Sequence, residues 1–298
     1  MNIKENIMQG TVWGSLMCTC TMDNLSKEAY RNPDELYKYK GVSIPPLEMV
    51  DDILTVTNVE NTLNMNERVN TFIEHKNLRL SKTKCHRIHV GKGHKECPQL
   101  KVHEDPMKDS IKEKYLGDII DQNASIQATI DGRISKGNGI VAEISSILEE
   151  IPFGRHKSEV AMKLRESMLL NGILFNVEAW HGTTLKQIKS LETIDEYLLR
   201  NILKAHKKTP KEFLYLETRA LPIRWVVAQR RILFMKHIME RHNNELLKKV
   251  FLAQKLNPSQ GDFVNIVEKR LREGCKKKKI RKLNFCQKEG GVNPKVYI

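Results

Sequence analysis

Two adjacent carboxylates, Asp51 and Asp52, stand between a short apolar run, Leu47 to Val50, and a β-favouring run, Ile53 to Thr57. The pattern predicts a hairpin with its charges at the tip. Successive side chains on a strand point to opposite faces, so the two acids diverge unless the turn splays them. Two acids on a rigid turn suit a hard divalent cation, which prefers carboxylate oxygens and can hold substrate phosphates while keeping some of its waters. The same dipeptide also serves as a plain solvated turn. Its neighbours must decide between the two.

The elements around the hairpin come next. Upstream, Gln9-Gly10-Thr11-Val12-Trp13-Gly14-Ser15-Leu16 reads as a glycine-containing turn opening a helix to about Leu25. Downstream, 58–78 is a helix candidate with apolar Val59, Leu63, Met65, Val69, Phe72 and Ile73, spaced to lie on one face of a sheet. An alternating, strand-like pattern follows from Leu78 to Val90 and carries Lys82 and Lys84. Lys114 to Ile120 is a further short strand. From Ala124 onward apolar residues recur at three- to four-residue steps, as in Ile126, Ile130 and Ile134 or Leu185, Ile188, Leu191 and Ile194, and Pro222 suits a helix start. The boundary between the mixed and the helical part falls near residue 122.

Composition bounds the function classes. The chain has 298 residues, 40% hydrophobic and 29% charged, values of an ordinary globular protein. The longest apolar run, Met168 to Trp180, is broken by Asn171, Asn176 and Glu178, so no membrane segment is expected. The N-terminus lacks the pattern of a secretory signal. An intracellular location, nuclear or cytoplasmic, is expected, with the six cysteines reduced. Net charge is +14, and from Arg270 to the end ten Lys and Arg face two Glu. Such an excess points to polyanions, most simply nucleic acid. The run Lys276, Lys277, Lys278, Lys279 with Arg281 and Lys282 reads as nucleic-acid contact, nuclear targeting or a solvated tail.

Other constellations are weaker. Cys85, His86, His89, His94 and Cys97 match no standard structural zinc spacing, and Cys85 and His86 on one strand would face opposite ways. Cys18 and Cys20 read as packed helix residues. No Gly-x-Ser-x-Gly elbow occurs, and Gly91-Lys92-Gly93-His94-Lys95 has the wrong spacing for a phosphate loop. Trp13, Trp180, His181 and Trp225 read as packing and capping residues.

The order of motifs resembles the later palm motifs of reverse transcriptases of the non-LTR retrotransposon type. Gln9-Gly10 before a helix, the Asp51-Asp52 hairpin, Leu80-Ser81-Lys82-Thr83 and Tyr115-Leu116-Gly117 follow in the family's order, and Glu217 to Arg224 with Gln229-Arg230-Arg231 resembles the region after the polymerase core. The resemblance runs from about residue 9 to about residue 263. It implies an α+β fold: a partial palm over 1–122, with a short antiparallel sheet and helices, then a mostly helical thumb and extension over 123–263 and a basic tail over 264–298. It implies Asp51 and Asp52 as ligands of Mg2+ or Mn2+, Gln9 and Gly10 against the incoming nucleotide and template, and Lys82 as a general acid toward pyrophosphate, with Lys84 as competitor. Tyr115, Leu116 and Gly117 would form the hairpin that grips the primer end. RNA template, DNA primer and deoxynucleotides would be the partners, and two-metal nucleotidyl transfer the chemistry.

Two departures from the family stand out. Met49 and Val50 replace an aromatic and a small residue before the acids, and the first catalytic motif, which supplies another aspartate, is not found before Gln9. The expectation is therefore a truncated polymerase with little or no DNA synthesis alone. The alternative is a noncatalytic nucleic-acid-binding protein derived from one.

Overall fold

The computed structural model describes residues 12–22, 24–25, 33–90, 98–152 and 154–278. The fold is α+β, with short strand pairs in its first part and helices in the rest. Helix α1 (Val12–Met22) is followed by two tight hairpins, β1 (Tyr37–Tyr39) with β2 (Val42–Ile44) and β3 (Leu47–Met49) with β4 (Asp52–Leu54). Pro45 and Pro46 separate the hairpins, because a residue without an N–H cannot extend a ladder. Helix α2 (Thr62–His75) turns Met65, Phe72 and Ile73 inward onto Met22 and Leu25 of the α1 segment and onto Leu36, with Ile53 of β4 packed alongside. Val59 and Leu63, expected on the same apolar face, are exposed.

Among the described residues the expected single palm sheet resolves into five separate two-stranded ladders. The remaining strands are β5 (His86–Arg87), β6 (Lys101–Val102), β7 (Asp105–Pro106), β8 (Lys108–Asp109), β9 (Lys112–Tyr115) and β10 (Asp118–Asp121). All pairings are antiparallel except β5 with β8. The strand expected over 78–90 is confined to β5. Ser81 is the reason: its carbonyl accepts from both Lys84 N and Cys85 N at 3.0 Å, curling the chain into a turn where a strand would need those groups for a ladder.

From Gln127 to Lys278 the described residues are mostly helical. Helix α3 (Gln127–Glu149) packs on α4 (Arg155–Leu164), which continues through a π-helical turn, Arg165–Leu170, to Ile173. Helix α5 (Leu185–Leu203) starts at a capping box in which Thr184 Oγ1 accepts from Gln187 N and Gln187 Oε1 accepts from Thr184 N. It ends where Lys204 turns left-handed. Helices α6 (Lys211–Thr218) and α7 (Ile223–Glu240) complete the main core around Ile144, Leu169, Ile173, Leu191, Leu198 and Ile223. Pro222 stands directly before α7, its expected place.

That core also holds charge. Arg165 Nε and Nη2 donate to the two oxygens of Asp195 at 2.6 and 2.8 Å, with both side chains buried. Buried Arg231 donates to the Val177 and Trp180 carbonyls. Helices α8 (Leu246–Leu256) and α9 (Phe263–Lys278) add a smaller cluster with α7, built on Ile238, Phe251 and Val264. Packing thus continues into the segment expected as tail. The β1–β2 hairpin also meets the loop between α8 and α9, for Tyr39 OH donates to Asp262 Oδ1 at 2.8 Å and the Lys40 ammonium pairs with the same carboxylate.

Candidate functional site

The β3–β4 register pairs Met49 with Asp52, leaving Val50 and Asp51 as the two turn residues. Val50 has φ +59°. A β-branched residue in the left-handed region costs on the order of 1–2 kcal/mol and persists only where the surroundings enforce it. One enforcing contact is visible, because Cys18 of α1 donates its thiol to the Val50 carbonyl at 3.3 Å. Burial pushes the Cys18 thiol pKa up, and the Asp51 charge pushes it further, which places that carboxylate beside α1. Asp51 and Asp52 are themselves exposed at the tip.

The second hairpin lies alongside the first. Tyr115, the last residue of β9, donates its hydroxyl to the Leu47 carbonyl of β3 at 3.2 Å, across 68 residues of sequence. Burial raises the Tyr115 phenol pKa and the Asp52 charge adds to it. Leu116 and Gly117 form the turn with φ +45° and +89°, the left-handed pair whose twist suits a two-residue hairpin. Leu116 presents an exposed apolar side chain in that conformation.

The helical part holds this turn firmly. Arg133 of α3 donates from Nη2 to the Gly117 carbonyl and to Asp118 Oδ1, both at 2.9 Å, and its guanidinium lies 5.2 Å from the centre of the Phe175 ring. Asn176 Nδ2 donates to the Leu116 carbonyl at 3.2 Å. Gly117 is required twice over, by its positive φ and because an added Cβ would lie 3.0 Å from the Phe175 ring.

The other expected site residues divide. Lys82 sits on the exposed turn after Ser81, and its ammonium pairs with Asp105 of β7 rather than with the Asp51-Asp52 tip. Lys276, Lys277 and Lys278 lie on the last turn of α9. Gln9, Gly10, Lys279, Arg281 and Lys282 fall outside the described residues, as do His94 and Cys97. Among the described residues no group of three or more His, Cys, Asp or Glu side chains converges to hold a metal ion. Two exposed carboxylates on one turn do not make a two-ion site, which needs further oxygen ligands.

Three features escaped the sequence reading. Arg133 stands within the apolar repeat of α3, between Ile130 and Gly137, and an arginine at an inward position is the signal that marks a buried contact. Cys18 gave no signal for its bond to the hairpin tip. Trp225, expected to pack, is 51% exposed, whereas Trp180 is 2% exposed as expected. Among the described residues no helix is long and apolar enough to cross a membrane. Compared with protein-family models, curated proteins and solved structures, the chain matches none of them.

Proposed function

We propose that this chain is the later part of a reverse transcriptase of the non-LTR retrotransposon type: the second half of the palm, the thumb and a basic helical extension. In this reading the two hairpins hold the primer end of a nucleic-acid duplex. The observation that carries it is the contact of the Tyr115-Leu116-Gly117 hairpin with the Asp51-Asp52 hairpin, through the Tyr115 hydroxyl and the Leu47 carbonyl. A primer grip is useful only if it is fixed beside the acidic turn, and Arg133 and Asn176 fix it. The strained Val50 turn adds support, since backbone strain of this kind concentrates at functional turns.

Asp51 and Asp52 would supply two of the oxygen ligands for Mg2+ or Mn2+, whose chemistry when bound is to activate the primer hydroxyl and shield the leaving pyrophosphate. A carboxylate from another strand is also required, so the chain alone binds primer–template without extending it. The exposed tip, with no third acid converging on it among the described residues, favours the second reading, a noncatalytic nucleic-acid-binding protein of the same descent. Lys82 would contribute charge near the duplex.

The test is a primer-extension and gel-shift pair on a DNA primer annealed to an RNA template, with Mg2+ or Mn2+ and deoxynucleotides. Salt-sensitive binding without sustained extension is expected. Tyr115→Ala should weaken binding to primer–template, and Asp51→Asn should leave it intact. Absence of any salt-sensitive binding would overturn the proposal, and sustained incorporation that depends on Asp51 would overturn the claim that the chain alone is inactive.

A further inference from the structure

The corner between α6 and α7 carries features that the palm hairpins do not use. Trp225, in the first turn of α7, is half exposed, and Leu221, four residues before it, is 53% exposed. A tryptophan rarely shows so much of its ring to water without a partner. Arg219 and Arg224 flank the pair and are exposed. Arg219 is the left-handed cap of α6, with φ +56°, and Arg224 Nε lies 3.7 Å from Glu192 with half its side chain in solvent. At the other end of α6, Lys207 and Lys208 stand exposed in the loop after α5. An eight-residue helix separates the two ends by about 12 Å.

Charge decides which partner fits. Within 204–231 the exposed charges are Lys204, Lys207, Lys208, Arg219 and Arg224 against Glu212 and Glu217, a surface surplus of +3 that attracts a polyanion. The exposed ring decides the form of that polyanion. A half-exposed indole offers a flat face for stacking, and only an unpaired base has a free face to meet it. Arginines on either side supply guanidiniums for the adjoining phosphates.

Resting on the nucleic-acid reading above, we propose that the α6–α7 corner is a docking surface for single-stranded nucleic acid, with Trp225 as the stacking platform and Arg219, Arg224, Lys207 and Lys208 along the backbone path. This surface is distinct from the two hairpins and would hold the unpaired strand next to the duplex.

The experiment is titration of the full chain with an oligodeoxythymidylate, read by tryptophan fluorescence and by anisotropy of a labelled oligonucleotide. Trp13 and the buried Trp180 both remain in Trp225→Leu, so quenching that disappears in that variant reports this site. Loss of one stacked base predicts an affinity drop of roughly 5- to 150-fold in Trp225→Leu, with Trp225→Phe retaining most of the binding and Arg219→Gln lowering the salt dependence. Each variant is checked by circular dichroism for an unchanged helical signal. Equal quenching or equal affinity in Trp225→Leu overturns the proposal. So does a Trp225 signal that follows protein concentration instead of oligonucleotide, which would mark a protein interface. If primer–template still binds and depends on Tyr115 while single-strand binding ignores Trp225, only this inference falls. If neither nucleic acid binds, the proposed function falls with it.

Discussion

Arg133 is the side chain on which the position of the β9–β10 hairpin turns. Its Nη2 reaches the Gly117 carbonyl and Asp118, Nη1 lies 3.4 Å from the Gly172 carbonyl, and the plane of the group meets Phe175. A hydrogen bond from a charged donor contributes about 1.5–3 kcal/mol, and a cation over an aromatic face about 0.5–1 kcal/mol at a part-exposed site. These contributions share one side chain and do not add, and desolvating the guanidinium offsets part of them. Arg133→Met should therefore destabilise the chain by about 3 kcal/mol. Arg133→Lys keeps the charge but replaces a planar fork with a single ammonium, which cannot serve Gly117, Asp118 and Gly172 together. That variant should cost about 2 kcal/mol. The assay is urea unfolding followed by circular dichroism, with amide exchange at residues 115–120 as the local readout. In both variants exchange there should speed up more than in α5, and primer–template affinity should fall in parallel. If Arg133→Lys unfolds within 0.5 kcal/mol of the parent and amide exchange at the turn is unchanged, the clamp as described is wrong.

Further consequences follow from other parts of the core. Arg165→Met leaves the Asp195 carboxylate buried beside Glu192 without its partner and should cost about 3–5 kcal/mol, while Arg165→Met with Asp195→Leu should recover much of that in the same urea assay. The Asp262 carboxyl is held below its ordinary value of 3.8: burial works against the charge, but Lys40, the Ser259 amide and the Tyr39 hydroxyl outweigh it. A lowered acid contributes stability above its unfolded pKa and loses it as pH falls through the folded value, so the junction of β1–β2 with the α8–α9 loop should open below about pH 4. Asp262→Asn should remove that acid step from an exchange profile at residues 37–44. At Gly137 an added Cβ would meet Ile173 Cγ2 at 2.8 Å and Ile194 Cδ1 at 3.2 Å, and at Gly172 it would meet Ile140 Cδ1 at 2.4 Å. The end of Ile140 can rotate away whereas a γ-methyl of Ile173 is fixed by its backbone, so thermal unfolding should show Gly137→Ala costing about 1–3 kcal/mol and Gly172→Ala less.

Helix positions were legible because their cause is local. Apolar residues at three- to four-residue steps bury one stripe whatever the stripe packs against, and Pro222 marks a helix start. The tip of the β3–β4 hairpin was legible for the same reason, since the acids interrupt short β-favouring runs, whereas Lys114 to Ile120, read from its residues as one strand, folds back at Leu116-Gly117 into β9 and β10. The strand expected over 78–90 failed because alternation of side chains says nothing about where the backbone groups bond, and Ser81 took them for a turn.

By itself, then, the sequence determined periodicity, turn chemistry and the +14 charge excess, all properties of neighbouring residues. Only the tertiary structure decided that Tyr115 reaches Leu47, that Arg133 holds the Leu116-Gly117 turn, that Lys82 pairs with Asp105 and that Trp225 faces outward while Trp180 does not. Each of these joins residues far apart in the chain or depends on which face another element covers. The partner in a contact of that kind leaves no local trace, even where an inward arginine such as Arg133 signals that a partner exists, because the same side chain in the same helix is stable whether its partner is a buried carbonyl or water until packing removes the water.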